Sequence, residues 1–239
     1  MQNKVIIRKD GREFEASMAK TFISNVFTYM FAALTITGVM AWWFGTNESL
    51  MNLIFNPETG TTGLGFIVMI APLAFVLIMS FSFDRLSSMV LLLLFMAFSF
   101  LMGMSLSTIF MVYTAASITS TFFVTAITFG IMALVGYTTS TDLTKFGSIM
   151  FMGLIGIIVA SIFNWFIGSE GLDILISIIG VLVFTGLTAY DVQKLKRIGA
   201  GVEYGTESTN KLSIIGALSL YLDFINLFLF LLRFLGDRR

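Results

Sequence analysis

The chain has 239 residues, of which 57% are hydrophobic and 12% charged, and its 14 basic residues balance 14 acidic ones. That charged share is about half of what soluble domains carry. Zero net charge would also leave so apolar a surface with no electrostatic protection against association. The composition therefore excludes a soluble globular protein and indicates that lipid is the solvent.

Two residue types are missing from the sequence, cysteine and histidine. Their absence excludes disulfides, thiolate nucleophiles and the usual zinc and iron–sulfur sites. It also removes the side chain that ordinarily titrates near neutral pH, and zero net charge argues against a nucleic-acid partner. We expect no bound cofactor, and any proton or ion chemistry must use carboxylates.

Seven apolar runs are long enough to cross a bilayer, which needs about 20 helical residues. They cover residues 21–44, 64–83, 88–112, 116–137, 147–168, 172–193 and 211–235. The prediction is an all-α integral membrane protein, with a polar N-terminal tail over residues 1–20 and a single seven-span domain over residues 21–239. Between the first two spans, residues 46–63 carry the asparagine, proline and glycine residues typical of turns.

Lysine and arginine predict how the chain is oriented, because they concentrate in cytoplasmic segments. Five of them lie in the N-terminal tail and six in the loops after the second, fourth and sixth spans, which face the same side. The remaining three follow or close the last span. We therefore expect a multi-pass protein of the inner (cytoplasmic) membrane with its N-terminus in the cytoplasm. A six-span alternative would place both termini inside.

Asp223 is the acid whose position is hardest to explain by structure alone. It lies near the middle of the last apolar run, where an ionised carboxylate is tolerated only beside protein or a wet cavity. Ser219 and Asn226 fall on the same helical face, four residues before it and three after it. We favour a helix-gluing polar stripe for Ser219 and Asn226, whereas we expect Asp223 to be functional.

Two further charged residues lie toward the predicted cytoplasmic ends of their spans. Asp191 closes the sixth apolar run, in a helix that should continue for about two more turns. It either forms a local ion pair with Lys194 or meets Asp223 on the next, antiparallel helix. Arg85 closes the turn after the second span, where it is either a snorkelling anchor or the partner of an acid in a shared vestibule.

Two stretches of the sequence resemble the C-terminal signature of the Bax inhibitor-1 family, the transmembrane Bax-inhibitor-motif proteins: GLTAYDVQKLKRIG and ALSLYLDFINLFLFLLRFLG. These motifs cover the last quarter of the chain, and its length and seven spans fit over the rest. Without histidine or cysteine, the sequence looks like a bacterial member. The resemblance implies seven transmembrane helices, with the last one central and wrapped by the other six.

The resemblance also implies a pH-sensitive calcium leak channel, gated by Asp191 and Asp223 with Arg85 nearby and with calcium in transient contact with the two acids. Two carboxylates at close range cannot both ionise cheaply. We therefore expect them to share a proton that holds the path shut, and to separate when the proton is lost or calcium binds, with Arg85 compensating one charge. Some relatives carry an acid inside the second span, and this chain does not.

Two other classes of function stay open from the sequence. A proton-coupled transporter would use the same two acids as a relay, and an interaction protein would modulate a membrane protease or a cell-death or stress partner. An enzyme is not expected, because the glycine-flanked motif of intramembrane aspartyl proteases is absent. The expected partners are the lipid bilayer, calcium and protons, and a membrane protein is a further candidate partner.

Overall fold

The computed structural model describes residues 2–203 and 205–238, with side chains from residue 16 onward. Met1, Tyr204 and Arg239 lie outside the described residues, as do the side chains of residues 2–15. Much of the predicted polar tail over residues 1–20 therefore falls outside the described side chains. The backbone of residues 2–15 continues the first helix upstream of its apolar part.

The helices follow the apolar runs of the sequence. Their bounds are α1 Gln2–Thr46, α2 Glu48–Ile54, α3 Gly63–Phe81, α4 Ser88–Leu106, α5 Ile109–Val112, α6 Ala115–Thr138, α7 Thr144–Ile167, α8 Glu170–Ala200 and α9 Glu207–Leu235. Strands β1 (Phe55–Asn56) and β2 (Gly60–Thr61) form an antiparallel hairpin. Within the described residues, seven helical segments are long and apolar enough to cross a membrane. The predicted fold class and number of spans are confirmed.

The segment between the first two spans differs from the prediction. Residues 46–63 were expected to form a turn, but they contain α2 and the β-hairpin. Asn47 initiates α2 because its side chain accepts a hydrogen bond from the Leu50 N–H at 3.1 Å. Gly60, the first residue of β2, takes a φ of 84° directly after the hairpin turn, a conformation that glycine adopts without steric cost.

Two helices also extend beyond the apolar runs of the sequence. Helix α8 covers residues 170–200: Ser169 caps its start, and beyond the apolar run the helix continues for about two turns past Asp191 to a cap at Gly201, as predicted. Helix α9 begins at Glu207, four residues before the predicted span. These extensions are polar, so hydropathy alone could not assign them to the helices.

One compact unit of the chain holds helices α6, α7 and α8. It consists of Met1–Ile23, Ala115–Val202 and Ser219–Asp237. Helix α8 packs against both α6 and α7, and glycines permit the close approach. Gly136 of α6 lies against the backbone of Ala189, and Gly147 of α7 lies against the ring of Tyr190. These two glycines therefore let the backbones of α6 and α7 approach α8 closely from either neighbour.

The second compact unit holds helices α2 to α5 and the hairpin. It consists of Ser24–Thr114, Glu203–Leu218 and Arg238–Arg239. Its apolar core includes Met40, Phe44, Met51, Ile54, Val68 and Met104. The Thr37 hydroxyl donates to the Ser99 carbonyl at 2.9 Å, and Glu207 accepts from the backbone and hydroxyl of Ser88 at the start of α4. Because Met51 and Ile54 belong to the apolar core, short helix α2 is part of that core.

The last span is the most deeply buried of the seven. In its most apolar stretch 67% of the residues are buried, against 50% or less in the other spans. Leu220, Tyr221 and Leu227 are fully inaccessible. Most of this apolar stretch is therefore enclosed by protein rather than by lipid.

Replacing Gly136 by alanine tests the close approach of α6 to α8. The new methyl group would collide with the Ala189 backbone, so we expect the free energy of unfolding to fall by about 1–3 kcal/mol. Gly130→Ala on the same helix is the matched control, because its methyl group would meet nothing within 4 Å. Thermal unfolding in detergent, followed by circular dichroism, should separate the two variants; equal Tm values would contradict the packing described here.

Candidate functional site

Asp191 joins helix α8 to helix α9. It lies nine residues before the end of α8 at Ala200, so it is about two and a half turns inside the helix. The Ser219 hydroxyl of α9 donates to Asp191 Oδ2 at 2.5 Å. The two antiparallel helices therefore meet at this carboxylate, as the order of the spans predicts.

Asp223 is a buried carboxylate one turn further along α9. Its exposed fraction is 6%, and its Oδ2 atom is buried without a hydrogen-bond partner. Asp191 lines the same cavity as Asp223. Buried polar atoms are normally satisfied, and an orphaned one is costly. Asp223 Oδ2 is therefore available to accept a hydrogen bond or to contact a cation.

Asn226 completes the polar face of α9. Its side-chain amide donates to the Leu222 carbonyl of the same helix at 2.8 Å, which leaves its side-chain oxygen as an acceptor. The hydrogen bond of Asn226 is local, whereas that of Ser219 crosses to α8. Of the two predicted gluing residues, Ser219 is thus the one that links helices.

A cavity of about 1040 Å³ lies between α7, α8 and α9 and brings the predicted residues together. Asp191, Asp223, Ser219 and Asn226 all line it. Lys194 also lines it, and the sequence had suggested Lys194 only as an ion-pair partner of Asp191. The hydrogen-bond partner of Asp191 is Ser219 instead.

Arg85 belongs to the other compact unit. It is exposed and lies in the turn after α3, where its backbone N–H donates to the Ser82 carbonyl at 3.0 Å. The turn is confirmed, and the role of Arg85 in gating stays a prediction. Within the described residues, no group of three or more acidic, histidine or cysteine side chains could hold a metal ion.

Gln193 anchors the loop between α6 and α7. The sequence analysis did not identify this role of Gln193. Its side-chain amide donates to the Thr141 carbonyl at 2.7 Å, and its side-chain oxygen accepts from the Leu143 N–H at 2.9 Å. Arg197, one turn later, pairs with Asp142 of the same loop at 2.8 Å. The only sign of this role in the sequence is a glutamine beside apolar positions of α8. Hydropathy does not distinguish such a glutamine from one on the protein surface.

The loop also holds a carboxyl group with a lowered pKa. Hydrogen bonds from the Thr144 side chain and backbone, followed by the hydrogen bond from Arg197, lower the pKa of Asp142 from its usual value of 3.8. Because the folded protein lowers this pKa, the stabilisation is complete above pH 3.8 and is lost only as the pH falls toward the lower folded value.

The variant Asp142→Asn tests whether the hydrogen-bonded Asp142 carboxylate stabilises the fold. We expect a small decrease in Tm at neutral pH, since Asp142 is solvent-exposed, and we expect the difference from wild type to narrow as the pH falls below 3.8. Thermal unfolding over a range of pH gives the comparison, with Glu58→Gln in the exposed hairpin turn as control. A difference that grows in acid would reverse the assigned sign.

Comparison with known proteins now decides the family. The family described as inhibitor of apoptosis-promoting Bax1 matches residues 19–239. The chain belongs to this Bax inhibitor family. The resemblance carried by the two C-terminal motifs is thus confirmed over nearly the whole chain.

Three relatives show how far the similarity of this Bax inhibitor family member extends. Inner membrane protein YbhL of Escherichia coli K12 is 48% identical over 221 residues, covering 92% of this chain and 93% of its own length. An uncharacterized protein of Borreliella burgdorferi is 45% identical, covering 94% and 95%. Uncharacterized protein RP147 of Rickettsia prowazekii is 44% identical, covering 92% and 91%. Together with the seven spans, these similarities make this chain a multi-pass membrane protein.

Proposed function

We propose that this Bax inhibitor family member is a pH-sensitive leak channel for cations, calcium among them, with Asp191 and Asp223 as its gate. The observation that carries the proposal is Asp223, a buried carboxylate with an unpaired oxygen in the middle of an apolar span. A side chain so costly to place in a membrane marks an ion or proton pathway.

The contact between α8 and α9 supports a gate at this position. Ser219 holds Asp191, and Asp223 follows Ser219 by one helical turn. A proton shared by the two acids removes the repulsion between them and keeps the helices together. Loss of the proton leaves two negative charges on facing helices, which favours their separation and opens the path between them.

The cavity supports weak and transient cation binding. Asp191, Asp223 and Asn226 line it, but their oxygens fall short of the six to eight that calcium prefers. Water in the cavity must supply the remainder, and the ammonium of Lys194 lowers the affinity further. Incomplete coordination lets a cation leave as readily as it enters, as conduction requires.

Calcium flux into proteoliposomes tests the proposal at two pH values on either side of neutrality. We expect wild-type flux to rise with pH, because deprotonation separates the acids. Asp223→Asn should lose most of that pH dependence, whereas Glu58→Gln in the exposed hairpin turn should keep it. Equal flux with the same pH profile in wild type and Asp223→Asn would refute the gate.

A separate variant tests Arg85. If its positive charge compensates one of the separated carboxylates, Arg85→Gln should reduce flux at the higher pH and leave flux at the lower pH unchanged. Reduced flux at both pH values, with a normal Tm, would instead identify Arg85 as a general structural anchor.

One observation favours a second candidate, a proton-coupled transporter. The cavity volume of about 1040 Å³ far exceeds what a single cation occupies, and most of the lining side chains are apolar. In a transporter Asp191 and Asp223 would relay the proton. Uptake of an organic solute that is driven by a proton gradient and lost in Asp223→Asn would select this function over the leak.

A further inference from the structure

The cavity between α7, α8 and α9 has the composition of a small-molecule site. Its volume of about 1040 Å³ lies at the upper end of the range for such sites. Apolar side chains form most of its wall, and a few polar groups converge at Asp191 and Asp223. Sites built this way orient an organic ligand with the polar groups and enclose it with the apolar ones.

The charges of the cavity match one positive charge. Asp191, Asp223 and Lys194 are the charged side chains among its lining residues, and once both carboxylates have lost their protons the three leave one uncompensated negative charge. A resident divalent metal would find too few oxygens, because the described residues offer no cluster of three or more ligands. A monovalent cation that brings its own apolar substituents needs fewer protein oxygens.

Acceptors for such a cation lie on adjacent turns of α9. Asp223 is more than nine-tenths buried and has an unpartnered Oδ2 atom. Asn226 keeps its side-chain oxygen available, since its amide nitrogen already donates to Leu222. A primary ammonium has three N–H donors. The ring of Tyr190, held against Gly147, adds an aromatic surface to the cavity wall, and such rings attract cations.

The apolar wall of the cavity is open toward lipid along α7. Several residues line the cavity and are also exposed on the surface of the protein: Phe151, Met152, Ile158 and Ile162. A ligand dissolved in the bilayer can therefore reach the cavity from the side. This access favours an amphiphile over a strongly hydrated ion.

We propose that this cavity binds a monovalent organic ammonium ion with an apolar substituent. Asp223 and Asn226 accept the ammonium hydrogens, and the α7 wall encloses the apolar group. The proposal goes beyond the calcium leak and does not rest on it, because it follows from the shape, charge and acceptors of the cavity. A bound ammonium would also obstruct any path that passes between the two acids.

Equilibrium binding of tritiated adamantylammonium tests the proposal. The probe joins one primary ammonium to a rigid apolar cage, and adamantanol is its neutral counterpart of similar shape. Binding is measured by scintillation proximity on the full chain in lipid nanodiscs without calcium, with empty nanodiscs as background. We expect saturable binding that unlabelled adamantylammonium displaces and adamantanol does not. Equal displacement by both would show apolar partitioning alone and overturn the proposal.

Two variants assign the binding to the cavity. Asp223→Asn should weaken binding by about tenfold or more, because it removes the charge that pairs with the ammonium. Lys194→Gln should tighten binding about two- to fivefold by removing a repelling charge, and this exposed position tolerates the change if Asp223→Asn fails to fold. Glu58→Gln should bind as wild type does. Unchanged affinity in folded Asp223→Asn, or in Lys194→Gln, would overturn the assignment.

The flux experiment and this one fail independently. Absence of calcium flux with intact ammonium binding would refute the leak and leave the ligand site. Absence of ammonium binding with pH-dependent flux would refute the ligand site and leave the leak.

Discussion

The burial of a carboxylate inside an apolar helix is the constraint that the surrounding helices must satisfy. Removing an ion from water costs several kcal/mol even after a protein relaxes around it, and lipid offers no compensation. The unit that contains Asp223 places this carboxylate on the wall of a cavity large enough for water, which Ser219 and Asn226 also line. A polar interior is thus maintained within a span that is otherwise enclosed by apolar side chains.

Glycine packing supplies the rigid frame around that polar interior. On α8, Gly180 lies against the ring of Phe230 and Gly186 lies against Met150. Both contacts depend on the missing side chain, so a larger residue at either position would press against α7 or α9.

The sequence was sufficient for the architecture because bilayer thickness dictates the length of each apolar run. It did not reveal short helix α2 or the hairpin near Gly60, where one cap and one φ angle decide the local structure. Hydropathy contains no information about either.

Part of the candidate site was predictable from the sequence, because regular helices fix which residues share a face. Helical spacing placed Ser219, Asp223 and Asn226 on one face, and consecutive antiparallel spans brought Asp191 to it. The wall contributed by α7 was not predictable, since a helix that is apolar on every side does not reveal which neighbour it packs against. The role of Gln193 as a loop anchor depends on two backbone groups of a distant loop, and no pattern in one sequence encodes that pairing.

The length of α8 has a consequence for how the protein responds to its membrane. Its 31 residues extend roughly 46 Å, whereas the hydrocarbon layer is about 30 Å thick. At the polar end the Lys196 ammonium donates to the Tyr137 carbonyl at 2.7 Å and lies 4.8 Å from the centre of the Tyr137 ring. This cation favours the headgroup level, so it sets the depth of Asp191 five residues earlier. The thickness of the bilayer thereby influences how deep Asp191 and Asp223 lie. In lipids of different chain length, water would reach the two carboxylates to different degrees.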